Sequence, residues 1–199
     1  MSTVEGGSAC SSDEELTEML RIVRANGWDR NLTIAQQNKW RSKYNIDQFF
    51  AMYSFYDLGY NLRPTDITGF IGLEQLKYLD KVIELKTYNY EFVNQTIKSN
   101  PDLIELNYSH MSKLSPFAIP IVCKTKEIRD KFINRFIENE IEVRPMIAGN
   151  IQNQPFYSKY VSTHYNLPNA NLITQQGFYC GNFPELSKEQ LDLYVNCLK

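Results

Sequence analysis

The sequence predicts an α/β protein, with helices through its first half and a compact α+β unit over residues 101–199. Three observations lead there. Ser12-Asp13-Glu14-Glu15 and Ser187-Lys188-Glu189-Gln190 both have the form of a capping box, in which the first and fourth residues satisfy each other's backbone N–H groups at a helix start. Apolar residues recur at helical spacing over several stretches before residue 100. After Pro101 the pattern changes to short apolar runs broken by turn residues, the mark of strands.

In order along the chain, Gly7 to Ser11 is short and small, suiting a strand that leaves the Gly6-Gly7 turn. A helix over 13–26 follows, with Ser12 as N-cap, Leu16, Met19, Leu20 and Val23 on one face, and Gly27 as its stop. Residues 33–44 read as a short surface helix. The rest of 27–60 reads as an ordered loop carrying Trp28, Phe49, Phe50, Tyr53, Phe55 and Tyr56, and loops of this length are usually functional or interfacial. Pro64-Thr65-Asp66 opens a helix with Ile67, Phe70, Ile71, Leu73, Leu76 and Leu79 on a wide apolar face. Its Gly69 and Gly72 cost about 1 kcal/mol each inside a helix and suggest close packing against another backbone. A further helix covers roughly 80–98 and ends at Lys98-Ser99-Asn100-Pro101.

Strands are expected at Leu103–Leu106, at Phe117–Cys123 with Pro120 hinting at an edge, at Ile141–Arg144 and at Phe178–Cys180. Thr125 caps a helix holding Ile128, Phe132, Ile133 and Phe136. Ser187 starts the last helix, with Leu191, Tyr194, Val195 and Leu198 on one face.

Composition narrows the function. The chain has 199 residues, 43% hydrophobic and 22% charged, with 13 Tyr and 11 Phe, which suits a packed globular protein and not a disordered one. Twenty-one basic and 23 acidic side chains leave a net charge of −2, against binding nucleic acid through backbone charge. No apolar run reaches the roughly 18 residues of a membrane helix, and the first residues lack the pattern of a signal peptide. Cys10, Cys123, Cys180 and Cys197 are widely spaced and only two histidines are present. A metal site is therefore not expected, and reduced thiols in a cytoplasmic protein are.

The chemistry-bearing features are sparse. No phosphate-binding P-loop, nucleophile elbow or His-Glu-x-x-His motif occurs. Glu5-Gly6-Gly7 and Ala148-Gly149-Asn150 are, by themselves, tight turns. Arg63-Pro64 and Arg144-Pro145 each place a cation before a rigid turn, and an Arg fork suits phosphate or carboxylate.

The order of these features carries further. Ser2-Thr3-Val4-Glu5-Gly6-Gly7, a capping-box helix, Gly59-Tyr60-Asn61-Leu62-Arg63-Pro64-Thr65-Asp66-Ile67 and then Gly72-Leu73-x-Gln75-Leu76-x-x-Leu79-Asp80 together resemble the DegT/DnrJ/EryC1/StrS family of pyridoxal-phosphate enzymes acting on nucleotide-linked keto sugars. Val143-Arg144-Pro145 with Ala148-Gly149-Asn150, and Gly177-Phe178-Tyr179-Cys180-Gly181-Asn182-Phe183-Pro184-Glu185-Leu186, resemble most closely the branch containing the sugar 3-dehydrases. Asn26-Gly27-Trp28 departs from the family's usual His-Gly-Trp.

The resemblance implies the C-terminal portion of an aspartate-aminotransferase-like, type I pyridoxal-phosphate fold. Residues 1–80 would be a remnant of the cofactor-binding large domain, 81–100 a connecting helix and 101–199 a small α+β domain with a three- or four-stranded, mainly antiparallel sheet. The family's catalytic position, lysine in aminotransferases and histidine in the 3-dehydrases, lies just upstream of the Ser-Thr-x-Glu-Gly-Gly segment. No catalytic residue and no covalent hold on pyridoxal phosphate are therefore expected within this chain, whether it is one piece of a split gene or a truncated remnant. Lys39, Lys43, Lys77 and Lys81 fall where the family has no such role.

In the family dimer each active site borrows residues from its neighbour. The resemblance thus implies Asn61 and Arg63 as ligands of the cofactor's phosphate, and Tyr60, Arg144 and Asn150 as residues near the nucleotide-linked keto sugar. The bare alternatives are that Asn61 only steadies its own loop and that Arg144–Asn150 is a plain turn. The partner would be a second copy, a complementary half or a full-length relative. The competing function is a non-catalytic interaction module that dimerises with an intact family member, motivated by the aromatic loop at 28–60.

Overall fold

The computed structural model describes residues 2–199. The chain forms two compact units, Met1–Lys77 and Tyr78–Lys199.

The first unit is helical. Helix α1, Glu14–Arg24, is capped by Asp13, whose carboxylate accepts the Leu16 N–H at 3.0 Å. The cap thus falls one residue later than expected. Ser11 Oγ accepts the Asp13 N–H, and a carboxylate gains from the helix dipole as well as from the hydrogen bond. Gly7 to Ser11 does not form the expected strand. It is exposed, and the first unit's one bridge among the described residues joins Ala25 to Asn61.

Helix α2, Ile34–Lys43, carries a capping box of Thr33 and Gln36. It contributes Trp40 to a small core with Ile22 and Leu32, against which Met19 and Tyr56 pack. Complete burial of Ile22 contributes about 1.5–3 kcal/mol. The face that α1 buries runs through Glu18 and Ile22, and the expected Leu16 and Leu20 are exposed. The shift is possible because Glu18 is paired: its Oε2 accepts from Trp40 Nε1 at 3.0 Å and from Lys39 Nζ at 3.1 Å. Asp29, fully buried, accepts on Oδ2 from Arg41 Nε at 2.7 Å and from Tyr56 O–H at 3.2 Å. These two ion-centred knots hold α2 and the following segment where the apolar core is too small to do so.

Helix α3, Asp66–Leu76, starts at a Thr65–Thr68 box. Its apolar residues Ile67, Phe70 and Leu73 are 72%, 68% and 65% exposed. Gly69 and Gly72 do not mark close packing within the chain. A Cβ at Gly69 would meet nothing within 4 Å, and one at Gly72 only the Thr3 methyl at 3.4 Å.

The second unit is a three-stranded antiparallel sheet with helices on one face. Helix α4, Leu79–Ser99, is followed by β1, Ala118–Val122, then α5, Lys126–Glu138, and β2, Val143–Pro145. After these come the short α6, Tyr157–Tyr160, then α7, Pro168–Gln176, β3, Gly177–Gly181, and α8, Lys188–Cys197. The strand order is β1-β3-β2, so the last strand in sequence is central and Pro120 sits on an edge strand, where a missing N–H is tolerated. Leu103–Leu106 does not form a ladder; Leu103 makes one bridge to Cys123.

Pairing Ile119 with Cys180, Ile121 with Phe178 and Val143 with Cys180 places these side chains on one sheet face. There they meet Tyr90, Val93 and Ile97 of α4, Phe132 and Phe136 of α5, and Leu191 and Tyr194 of α8. Pro120, Tyr179 and Arg144 alternate to the other face. At the end of β3, the buried Asn182 ties three segments together. Its amide N–H groups donate to Lys86 O and Pro116 O at 3.0 Å each, and its Oδ1 accepts from Asn89 Nδ2 at 3.2 Å.

Candidate functional site

The best-defined candidate group lies on the loop after Tyr56, and its placement is a matter of backbone. Tyr56 N–H donates to Gly27 O and Asn26 N–H to Tyr60 O, each at 2.7 Å. Tyr60 N–H donates to Val23 O at 2.7 Å and Leu62 N–H to Arg24 O at 2.9 Å. This ladder lays the loop across the end of α1. Gly27 has φ +85°, a region that glycine enters without a Cβ penalty. A Cβ on it would lie 2.0 Å from Asp57 O.

The ladder sets Asn61 opposite Ala25. The Asn61 Oδ1 accepts from Arg63 Nε at 3.0 Å. Among the described residues no carboxylate pairs with Arg63, and neither of its terminal nitrogens makes a hydrogen bond. Its guanidinium carbon lies 5.5 Å from the centre of the Trp28 ring. Tyr60 is 65% exposed. Sequence reasoning named Asn61 and Arg63 together and placed Trp28 only among the aromatics of the 28–60 loop.

In the second unit, Arg144 stands opposite Tyr179 in the β2–β3 ladder and lines a cavity of about 520 Å³ with Phe117, Glu142, Tyr179, Phe183 and Gln190. Arg144 Nε donates to Glu142 Oε1 at 2.7 Å. That hydrogen bond, with the carboxylate's charge, raises the Arg144 pKa above its ordinary value. Aromatic walls beside a permanent cation suit a flat ring that carries an anion.

Asn150 does not join Arg144 in that cavity. It is buried, its Nδ2 donates to Asn171 Oδ1 at 2.7 Å, its Oδ1 accepts from Gln152 N–H at 3.1 Å, and its own N–H donates to Thr174 Oγ1 at 2.6 Å. These bonds hold the 148–150 turn against α7. The bonds to α7 could be read only in the tertiary structure.

The donor set at Asn61 and Arg63, an amide and an uncommitted guanidinium fork, fits the phosphate end of pyridoxal phosphate. Lys39, Lys77 and Lys81 are exposed ammonium groups paired with Glu18, Glu74 and Glu84, and Lys43 lies over the Trp40 and Tyr44 rings. No group of three possible metal ligands occurs among the described residues, and none of the described helices is long and apolar enough to cross a membrane.

The profile of the DegT/DnrJ/EryC1/StrS aminotransferase family matches residues 1–199. The chain is 31% identical over 201 residues to GDP-4-keto-6-deoxy-D-mannose 3-dehydratase of Escherichia coli O55:H7, covering all of this chain and 51% of that enzyme. A crystal structure of a GDP-4-keto-6-deoxymannose-3-dehydratase point mutant with bound GDP-perosamine superposes with a TM-score of 0.77 at 30% identity, over 95% of this chain and 49% of that one. The Escherichia coli enzyme with bound hydrated pyridoxal phosphate superposes at 0.76 and 29% identity, over 95% and 49%. The chain thus spans about half the length of the curated relatives it matches, and its architecture is part of the aspartate-aminotransferase-like fold of type I pyridoxal-phosphate enzymes. With sequence motifs, fold and relatives in agreement, the chain belongs to the DegT/DnrJ/EryC1/StrS aminotransferase family, whose members are pyridoxal-phosphate-dependent sugar aminotransferases and 3-dehydrases.

Proposed function

We propose that this chain is the C-terminal half of a pyridoxal-phosphate-dependent nucleotide-sugar aminotransferase or 3-dehydrase of sugar or polysaccharide biosynthesis, and that it is inactive alone. Residues 1–80 are then the remnant of the cofactor-binding domain, 81–100 the connecting helix and 101–199 the small domain. The observation that carries the reading is the Asn61–Arg63 pair: an amide and a guanidinium, 3.0 Å apart, presented on a loop pinned to α1, with no carboxylate among the described residues to satisfy the fork.

In this reading Asn61 and Arg63 hold the cofactor's phosphate in the active site of a partner subunit, and Tyr60 borders the sugar. Arg144, steadied by Glu142, takes the diphosphate of a nucleotide-linked keto sugar, with Phe117 and Tyr179 beside it. Asn150 keeps the 148–150 turn in shape. When bound, pyridoxal phosphate supplies an electron sink for chemistry at the sugar carbon.

The test has two arms. Pure chain treated with pyridoxal phosphate and then borohydride should show scattered, sub-stoichiometric labelling; one lysine labelled stoichiometrically overturns the inactive-half reading. The chain is then co-expressed with an intact relative. Co-elution, with Asn61→Ala lowering cofactor retention while the assembly persists, supports the shared site. Unchanged cofactor occupancy overturns it and leaves the non-catalytic interaction module as the reading of the same complex.

A further inference from the structure

We propose that Trp28 is a positioning residue: its indole face carries the Arg63 guanidinium and aims the free fork of that side chain at an incoming phosphate. The proposal rests on the reading of Asn61 and Arg63 as phosphate ligands.

Two different devices act on the Gly59–Arg63 loop. The backbone ladder to Val23, Arg24 and Asn26 fixes the loop as far as Leu62. It does not reach the Arg63 side chain, which is long, exposed and rich in rotamers. Only two contacts restrain the guanidinium among the described residues, the hydrogen bond from Nε to Asn61 and the Trp28 ring at 5.5 Å. One hydrogen bond leaves the plane of a guanidinium free to swing about that bond. A second contact with an aromatic face removes the swing, because the ring quadrupole attracts the cation to the face.

The indole is itself anchored. Trp28 follows the left-handed Asn26-Gly27 turn, with φ of +59° and +85°, that the ladder requires. It stacks on Phe55 with centroids 6.1 Å apart. Arg30 lies over the same ring at 3.8 Å, but it is committed elsewhere, since both its Nε and a terminal nitrogen donate to Met52 O. Two guanidiniums at one ring, with no carboxylate paired to either among the described residues, concentrate positive potential there. Arg63 has both terminal nitrogens without a partner among the described residues, whereas Arg30 has one of its two committed to Met52 O. The Trp28 indole N–H is buried and has no hydrogen-bond partner, so the ring acts through its face. A benzene ring should therefore replace it, and an aliphatic side chain should not.

The test uses the full chain and two-dimensional NMR of arginine Nε–H and tryptophan Nε1–H groups, with inorganic phosphate and pyridoxal phosphate as probes at constant ionic strength. In the wild type the Arg63 Nε–H resonance should show the displacement of a group over an aromatic ring, and phosphate should shift it further. Trp28→Leu should abolish the ring displacement and weaken phosphate binding by about 2- to 5-fold. Trp28→Phe should restore both. Should Trp28→Leu fail to fold, the reverse substitution reads the same contact: Arg63→Ala, at an exposed position, should move the Trp28 Nε1–H peak and leave that of Trp40 in place. An Arg63 resonance unchanged in Trp28→Leu, or a Trp28 peak unmoved by Arg63→Ala, overturns the proposal. A ring displacement lost in Trp28→Leu and regained in Trp28→Phe, with no response of Arg63 to either probe in any variant, upholds the positioning and overturns the phosphate reading instead.

Discussion

Gly59 lies directly against Gly27: a Cβ on Gly59 would fall 2.2 Å from the Gly27 nitrogen. Two glycines 32 positions apart thus form a backbone crossing, and on that crossing hang Trp28 on one strand of chain and Asn61 on the other. The Asn-Gly-Trp and Gly-Tyr-Asn strings are one structural unit.

Gly27→Ala and Gly59→Ala should each unfold that crossing. At Gly27 a left-handed backbone cost adds to a clash with Asp57 O, together about 2–5 kcal/mol. Both tryptophans lie in the first unit, so urea titration followed by tryptophan fluorescence reports on it selectively. A midpoint within experimental error of wild type in both variants would mean the crossing is not tight.

Glu18 should make the first unit acid-sensitive. Burial alone would raise its pKa, but the hydrogen bonds from Trp40 and Lys39 and the Lys39 charge outweigh burial and hold it below the ordinary 4.5. The unfolded chain then binds the proton more tightly than the folded one. The stability this group contributes is present above about pH 4.5 and is lost as pH falls through the lower, folded value. Trp40 fluorescence during urea unfolding at stepped pH should show this loss, and Glu18→Gln should flatten it. An equal pH dependence in the two proteins would reject the assignment.

Asn182→Ala should destabilise the second unit by about 2–4 kcal/mol, because the buried Asn182 side chain is lost and the part-buried Lys86 O and Pro116 O lose their donor, while Asn89 Nδ2 keeps only Phe183 O. Asn182→Asp should not rescue it: a carboxylate cannot donate to two carbonyls, and a buried unpaired charge is costly. Nine of the 13 tyrosines lie in this unit, so tyrosine near-ultraviolet circular dichroism is weighted toward it through thermal unfolding. Wild-type stability in the Asp variant would show that the amide donors are dispensable.

Of the four thiols, Cys10 alone should react in the folded chain. It is exposed, while Cys123, Cys180 and Cys197 are buried. Burial pushes Cys123 and Cys180 up to about 12 and raises Cys197, so thiolate is scarce and access is closed. A chromogenic disulfide reagent at neutral pH should titrate one thiol in native protein and four in denaturant; rapid reaction of a second native thiol would contradict the packing.

Much of this molecule can be read from local sequence because local physics settles it. Thr33, Thr65, Thr125 and Ser187 all cap the helices that follow them, since a hydroxyl three residues from an unpaired N–H bonds it whatever the rest of the chain does. Apolar spacing likewise identified α4, α5 and α8, and Pro120 was legible as an edge residue. The order of the short motifs carried the family and, with it, Asn61 and Arg63. What stayed hidden depended on partners distant in sequence. Leu103–Leu106 has strand-like composition but finds only one bridge. Glu18 looks like a surface residue until Lys39 and Trp40 are brought to it. The bonds from Asn150 to Asn171 and Thr174 likewise appear only once α7 is brought to its turn. Trp28 looks like one loop aromatic among several until chain folding lays Arg63 over its ring. The sequence by itself determined where α2, α3, α4, α5 and α8 begin and which family this chain resembles, because a cap and an apolar spacing follow from neighbours within four residues. Tertiary structure alone decided which polar side chains are already satisfied and which are left free for a ligand, because a hydrogen bond or a ring contact across tens of residues exists only after the backbone has brought the two groups within a few ångströms.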